Sequence, residues 1–194
     1  NRSTSVNEVE SRFQVHVDNH IPLLFGHAHH QTVTGDTCVV YQNIDMVEVV
    51  EGVSEIFTMV AGLKNIHIAV EIPEDRMEVR ADIDMIKTVI RNLISNAIKF
   101  SNEGSEVLVS LREEDSMAIV SVKDSGCGID DENQKKLLHT DTHFSTFGTN
   151  NEEGSGLGLL LCKDFVTKNG GELWFTSKKG EGSTFSFSIP LLES

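Results

Sequence analysis

Ile83-Asp84-Met85-Ile86-Lys87-Thr88-Val89-Ile90-Arg91-Asn92-Leu93-Ile94-Ser95-Asn96-Ala97-Ile98-Lys99-Phe100 is the stretch on which the reading of this chain turns. Ile86, Val89, Ile90, Leu93, Ile94 and Ala97 recur three and four apart, the period of a helix with one buried face. Asn92, Asn96 and Lys99 fall on a stripe beside that face. Taken alone, the stripe reads as the solvated edge of an amphipathic helix. A second reading is chemical. An Asn amide oxygen is a neutral, hard ligand suited to Mg²⁺, and a Lys one turn later reaches phosphates that such a metal bridges.

Working outward, three glycine-bearing segments follow. Asp124-Ser125-Gly126-Cys127-Gly128-Ile129 comes straight after an apolar run. Its Asp either caps a glycine turn or, at a strand end, accepts a hydrogen bond from an exocyclic amine such as that of adenine, with glycines that let backbone approach a flat ring. Gly154-Ser155-Gly156-Leu157-Gly158-Leu159 opens a helix, where unpaired N–H groups and the positive dipole end suit an anion. Its spacing is neither that of a dinucleotide loop nor that of a Walker loop, and no strand directly precedes it. Gly180-Glu181-Gly182-Ser183-Thr184-Phe185 alone reads as a hairpin turn.

The remaining elements fill in around these. Met46, Val49, Val50, Val53, Ile56, Phe57 and Val60 predict a helix from Asp45 to about Gly62, and Ile66 to Val70 alternates as a strand. Val107 to Val109 and Ala118 to Val122 predict a hairpin turning at Glu113-Glu114-Asp115. Residues 126–156 form a long polar segment with a short helical stretch at Gln134 to Leu138, the length of a functional lid. Leu157 to Lys168 reads as a helix, and Glu172 to Thr176 and Ser183 to Ile189 as strands. This order predicts an α/β two-layer sandwich, with helices on one face of a mixed, mostly antiparallel sheet. Residues 1–36 read as a helical segment and linker ahead of a domain spanning 43–194.

In order, Asn96-Ala97-Ile98-Lys99-Phe100, Asp124-Ser125-Gly126-Cys127-Gly128, Gly154-Ser155-Gly156-Leu157-Gly158-Leu159 and Gly182-Ser183-Thr184-Phe185 resemble the N, G1, G2 and G3 boxes of sensor histidine kinases. The resemblance covers roughly residues 43–191 and implies the Bergerat ATP-binding fold. It implies that Asn96 holds Mg²⁺, Asp124 reads adenine, Lys99 reaches phosphate, Gly126 and Gly128 shape the base pocket, and Gly154, Gly156 and Gly158 hinge the lid. Asn92, Phe100, Ile129, Ser155, Leu157, Leu159 and Thr184 complete the implied ATP site. The implied cofactors are ATP and Mg²⁺. The implied partners are a dimerisation and phospho-acceptor domain, a response regulator, and a second subunit of the full-length protein.

The chain departs from the family at two places. Leu138 stands where the first Phe of a lid box is expected, with Phe144 and Phe147 further on. No His among His16, His20, His27, His29, His30, His67, His139 and His143 is followed by Asp or Glu, so the phospho-acceptor is expected to be absent. Leu23 to Gln31 resembles the tail of a dimerisation helix. Asn92 occupies the position where hydrolytic relatives carry a water-activating Glu, and an amide takes no proton at neutral pH. A non-catalytic nucleotide sensor and a hydrolytic ATPase of the same fold remain the alternatives.

Composition agrees with a single globular domain. The chain has 194 residues, 39% of them apolar and 24% charged, with 16 basic against 30 acidic residues for a net charge of −14. Such an excess repels a phosphate backbone, so nucleic acid is not an expected partner. The three cysteines, Cys38, Cys127 and Cys162, form no CxxC pair, so neither a disulfide framework nor a zinc site is indicated and a cytoplasmic location is expected. No stretch reaches the roughly 18 apolar residues of a membrane span. The first residue is not Met, and the expectation is a piece of a longer, membrane-anchored bacterial sensor.

Overall fold

The computed structural model describes residues 39–138, 149 and 157–192. The N-terminal segment 1–36, with its five histidines and its resemblance to a dimerisation helix, lies outside the described residues. So do His139, His143, Phe144, Phe147, Gly154, Ser155 and Gly156.

Two helices are set by their caps and their periodicity. Helix α1 runs Met46–Gly62 from the N-cap Asp45, whose carboxylate accepts from Val47 N. Helix α2 runs Ile83–Phe100, and Asp82 Oδ1 accepts from Asp84 N at 3.0 Å and Met85 N at 3.1 Å. Its apolar face is fully buried at Ile86, Val89, Ile90 and Ile94. Each such side chain contributes about 1.5–3 kcal/mol of burial, and truncating Ile90 to Ala would cost about 2–5 kcal/mol.

Five strands form the main sheet: β2 (His67–Glu71), β4 (Glu106–Glu114), β5 (Met117–Asp124), β6 (Leu173–Lys178) and β7 (Gly182–Pro190), in the order β2-β4-β5-β7-β6. Only β2 and β4 are parallel; the other three pairings are antiparallel. Strand alternation turns Val107, Val109 and Leu111 of β4, Ala118, Val120 and Val122 of β5, and Phe187 and Ile189 of β7 toward α1, α2 and α4 (Gly158–Lys168), and all eight are buried. The sandwich with one helical layer is the predicted architecture. A further short helix, α3, spans Asp131–Leu138.

Two details differ from the sequence expectation. The β4–β5 turn lies at Asp115-Ser116 rather than Glu113 to Asp115, because both residues take positive φ, 51° and 60°. A two-residue turn of that hand matches the strand twist, so Glu113 and Glu114 stay in the ladder. A second sheet pairs β1 (Gln42–Asp45) with β3 (Glu78–Ala81). Four-residue strands carry too little alternation to be read in advance, although Ile44, Val79 and Ala81 are buried.

Candidate functional site

Asp124 ends β5 on the core side of the sheet, in line with Val120 and Val122, and is only 5% exposed. Its Oδ1 accepts from Gly126 N at 2.9 Å and from Ser183 N at 3.2 Å. Burial pushes the carboxyl above its ordinary value, and the two backbone N–H groups draw it part of the way back. Both bonds fall on Oδ1. Among the described residues no donor reaches Oδ2, so one oxygen of a buried carboxylate remains available to a ligand N–H.

The glycines beside Asp124 are required by close backbone packing. A Cβ on Gly126 would stand 2.1 Å from Phe100 O, the carbonyl that also accepts from Cys127 N. Gly128 has φ +60°, and a Cβ there would stand 2.0 Å from Lys178 O. Gly180 N donates to Cys127 O at 2.7 Å, and Ile129 N donates to Ser177 Oγ at 2.8 Å. The 124–129 loop is therefore wedged between the end of α2 and the β6–β7 turn. The predicted G1 and G3 segments and Phe100 meet in one place.

Asn92, Asn96 and Lys99 lie half-buried along α2. Asn92 donates to Thr88 O at 3.0 Å and turns its Oδ1 toward α4, where a Cβ on Gly158 would come within 2.9 Å of it. The Asn96 side chain makes no hydrogen bond among the described residues, so its amide oxygen is open to a ligand. The Lys99 ammonium sits 5.0 Å from the centre of the Phe100 ring. Helix α4 begins at Gly158 after the exposed Leu157, and among the described residues it has no capping side chain and no acidic residue in its first turn. Leu159 packs half-buried against the core. No cluster of three His, Cys, Asp or Glu occurs among the described residues, so a metal here would rest on Asn96 and on oxygens supplied by its ligand.

Thr184 stands apart from this group. Register pairs Asp124 with Ser183 and Lys123 with Thr184, so Thr184 faces the opposite side of the sheet from Asp124. The neighbouring Ser183 supplies the N–H that holds Asp124, and its hydroxyl lies 2.9 Å from Ser177 Oγ. Sequence reasoning missed Ser183, although parity could have found it: Phe187 and Ile189 are core-facing, and counting back by twos reaches Ser183. Lys64 was missed as well. Its ammonium donates to Ile98 O at 3.0 Å, Lys99 O at 2.9 Å and Thr149 Oγ1 at 2.6 Å, closing the C-terminal end of α2.

Comparison with known proteins fits this geometry. The chain is 37% identical over 145 residues to the adaptive-response sensory kinase SasA of Crocosphaera subtropica, covering 74% of this chain and 36% of that one. It superposes on the catalytic domain of histidine kinase ThkA with a TM-score of 0.67 at 28% identity, covering 78% of this chain and 95% of that one. ThkA in complex with the response regulator TrrA gives a TM-score of 0.66 at 25% identity, covering 79% of this chain and 42% of that one. The chain spans between a fifth and about two fifths of the length of the curated relatives it matches. No helix among the described residues is long and apolar enough to cross a membrane. Residues 81–193 match the family of histidine kinase-, DNA gyrase B-, and HSP90-like ATPases, and the chain belongs to that family.

Proposed function

We propose that this chain is the ATP-binding catalytic domain of a two-component sensor histidine kinase, which passes the γ-phosphoryl group of ATP to a His on a dimerisation domain. The observation that carries the reading is Asp124: a buried carboxylate with one oxygen committed to backbone and the other open, in a loop where every side chain beyond hydrogen is excluded at Gly126 and Gly128. Asp124 accepts from the N6 amine of adenine, and Ser183, rather than Thr184, fixes its orientation. Gly126, Gly128 and Ile129 bound the base, while Asn92, Lys99 and Phe100 line the route to the phosphates.

Asn96 holds Mg²⁺, which would neutralise charge on the phosphate oxygens. The protein contributes placement and electrostatics, which is most of what phosphoryl transfer needs. Gly158 hinges the lid together with Gly154 and Gly156, which lie outside the described residues, and α4 presents its N-terminal end to the anion. The reading places the domain on the cytoplasmic side of a bacterial sensor, where ATP is found, with a response regulator downstream as in the ThkA–TrrA complex.

Incubation with labelled ATP and Mg²⁺ tests the assignment. The chain is expected to bind ATP, to show no steady turnover and to remain unlabelled, while an added dimerisation domain carrying a His followed by Glu or Asp becomes labelled. Steady hydrolysis that disappears on Asn92→Ala would make the chain a hydrolase. Binding of ATP with no transfer to any acceptor domain would favour the nucleotide sensor.

A further inference from the structure

Helix α1 carries more apolar surface than the domain covers. Its inner stripe, Met46, Val50, Val53, Phe57 and Ala61, is buried. A second stripe runs beside it, in which Ile56 is 59% exposed, Met59 82% and Leu63, the C-cap, 90%. With Val49 and Gly52 these residues follow one another at intervals of three, four, three and four, the spacing of a coiled-coil seam. A lone exposed Leu would need no explanation, whereas a seam of them on one helix does.

Two further observations say what the seam is shaped for. Gly52 lies mid-helix and exposed, where glycine is unfavourable, and beyond the helix's own nearby backbone nothing among the described residues comes within 4 Å of the Cβ it lacks. No contact among the described residues calls for a glycine there, and a close-packed neighbour from outside would. The seam is also flanked by opposite charges. Glu48 and Glu55 border it on one side. On the other stand Lys87 and Arg91, one turn apart on α2, across a groove whose α1 wall carries Glu48 and, at the helix start, Asp45. None of the four side chains of Glu48, Glu55, Lys87 and Arg91 makes an ion pair or hydrogen bond among the described residues, in a chain whose net charge is −14.

We propose that this seam and the adjoining groove dock an amphipathic helix of a partner protein, basic along the edge over Glu48 and Glu55 and acidic along the edge over Lys87 and Arg91. The helix lays its apolar residues between Ile56 and Met59 and comes closest to α1 at Gly52. A second copy of the chain is the poorer occupant, because each chain brings fourteen negative charges.

The probe is a fluorescent helical peptide of about three heptads with Leu at the seam positions, Lys along one edge and Glu along the other. Two controls carry Lys on both edges or Glu on both edges. In anisotropy titrations with the whole chain the mixed-edge peptide is expected to bind roughly tenfold tighter than either control, and Met59→Lys to weaken it by a similar factor, the scale of losing one central anchor. Because Met59 is exposed, that variant should melt as the wild type does. Lys87→Glu together with Arg91→Glu should transfer the preference to the all-Lys peptide, and Gly52→Ala should raise the melting temperature while weakening the peptide. Absence of binding, equal binding of the three peptides, or indifference to Met59→Lys would overturn the proposal. Concentration-dependent dimerisation lost on Met59→Lys would also overturn it, in favour of a second copy.

Discussion

Asp124→Ala removes two things at once: the acceptor for two buried backbone N–H groups and the carboxylate proposed to read the base. Read as a residue at a strand end, outside the apolar core, Asp124 would be expected to tolerate Ala without harm to the fold. The structure reverses that expectation. Stranding Gly126 N and Ser183 N costs about 1–3 kcal/mol each, or about 2–6 together. Removing a carboxylate that burial disfavours returns part of this, which places the loss at the low end, about 2–3 kcal/mol. In a domain of this size that lowers the melting temperature by about 4–12 °C.

Asp124→Asn separates the two roles. Its Oδ1 still accepts both N–H groups, so stability should fall by only about 1 kcal/mol. With Oδ1 pinned, the amide nitrogen replaces Oδ2 and presents a donor where adenine also presents one. ATP should bind about ten- to a hundredfold more weakly, and the preference over GTP should shrink. Thermal melts of the three proteins and titrations with both nucleotides decide the matter. If Asp124→Ala melts as the wild type does, Asp124 is not the brace; if Asp124→Asn keeps its full preference for ATP, it is not the reader.

Three other outcomes follow from the same geometry. Because burial raises the Asp124 carboxyl above 3.8, with Gly126 N and Ser183 N as the smaller opposing effect, its contribution to stability is fullest below 3.8 and is lost as pH rises through the higher folded value. ATP affinity, which needs the ionised form, runs the other way, and binding measured down a pH series should fail above the ordinary 3.8; a fall only at 3.8 would contradict this. Burial pushes the Cys162 thiol up to about 12, while Cys127 is exposed beside the proposed base pocket. Alkylation mapped by mass spectrometry at neutral pH should therefore modify Cys127, more slowly with ATP present, and should spare Cys162 until the chain unfolds. Gly126→Ala, whose Cβ would meet Phe100 O at 2.1 Å, should destabilise by about 1–3 kcal/mol or more in urea, whereas Gly158→Ala meets only the Asn92 side chain and should stay within about 0.5 kcal/mol of the wild type.

What could be read in advance depended on the length of the signal. Helix α2 was legible from six apolar positions that hold one face from Ile86 through Ala97, while its cap Asp82 became evident in the structure. The short strands β1 and β3 announced nothing, because two buried residues in four do not make a period. Two of the glycine boxes mark where the candidate site lies, since Gly126, Gly128 and Gly182 are dictated by backbone that comes within 2.1 Å of a missing Cβ. Ser183 could have been told from Thr184 by counting back by twos from Phe187, a step the sequence reading did not take, whereas identifying Lys64 as the closing group of α2 required tertiary contact between residues 34 and 35 positions apart. That last relation is not local, and local pattern could not supply it.

Strand β7 lies between β5 and β6, although it is the last of the strands to be synthesised. Until the nascent chain has passed Pro190, β6 has no neighbour and β5 presents an open edge beside Val120 and Val122. Phe187 and Ile189, both fully buried in the finished domain, have by then not reached the core. The domain therefore cannot complete its sheet progressively from its N-terminal side. It waits for its final strand and in the interval exposes the kind of edge that chaperones or other nascent chains would engage. Proteolytic loss of the segment after Gly180 would return it to that state, taking the Ser183 brace of Asp124 with it.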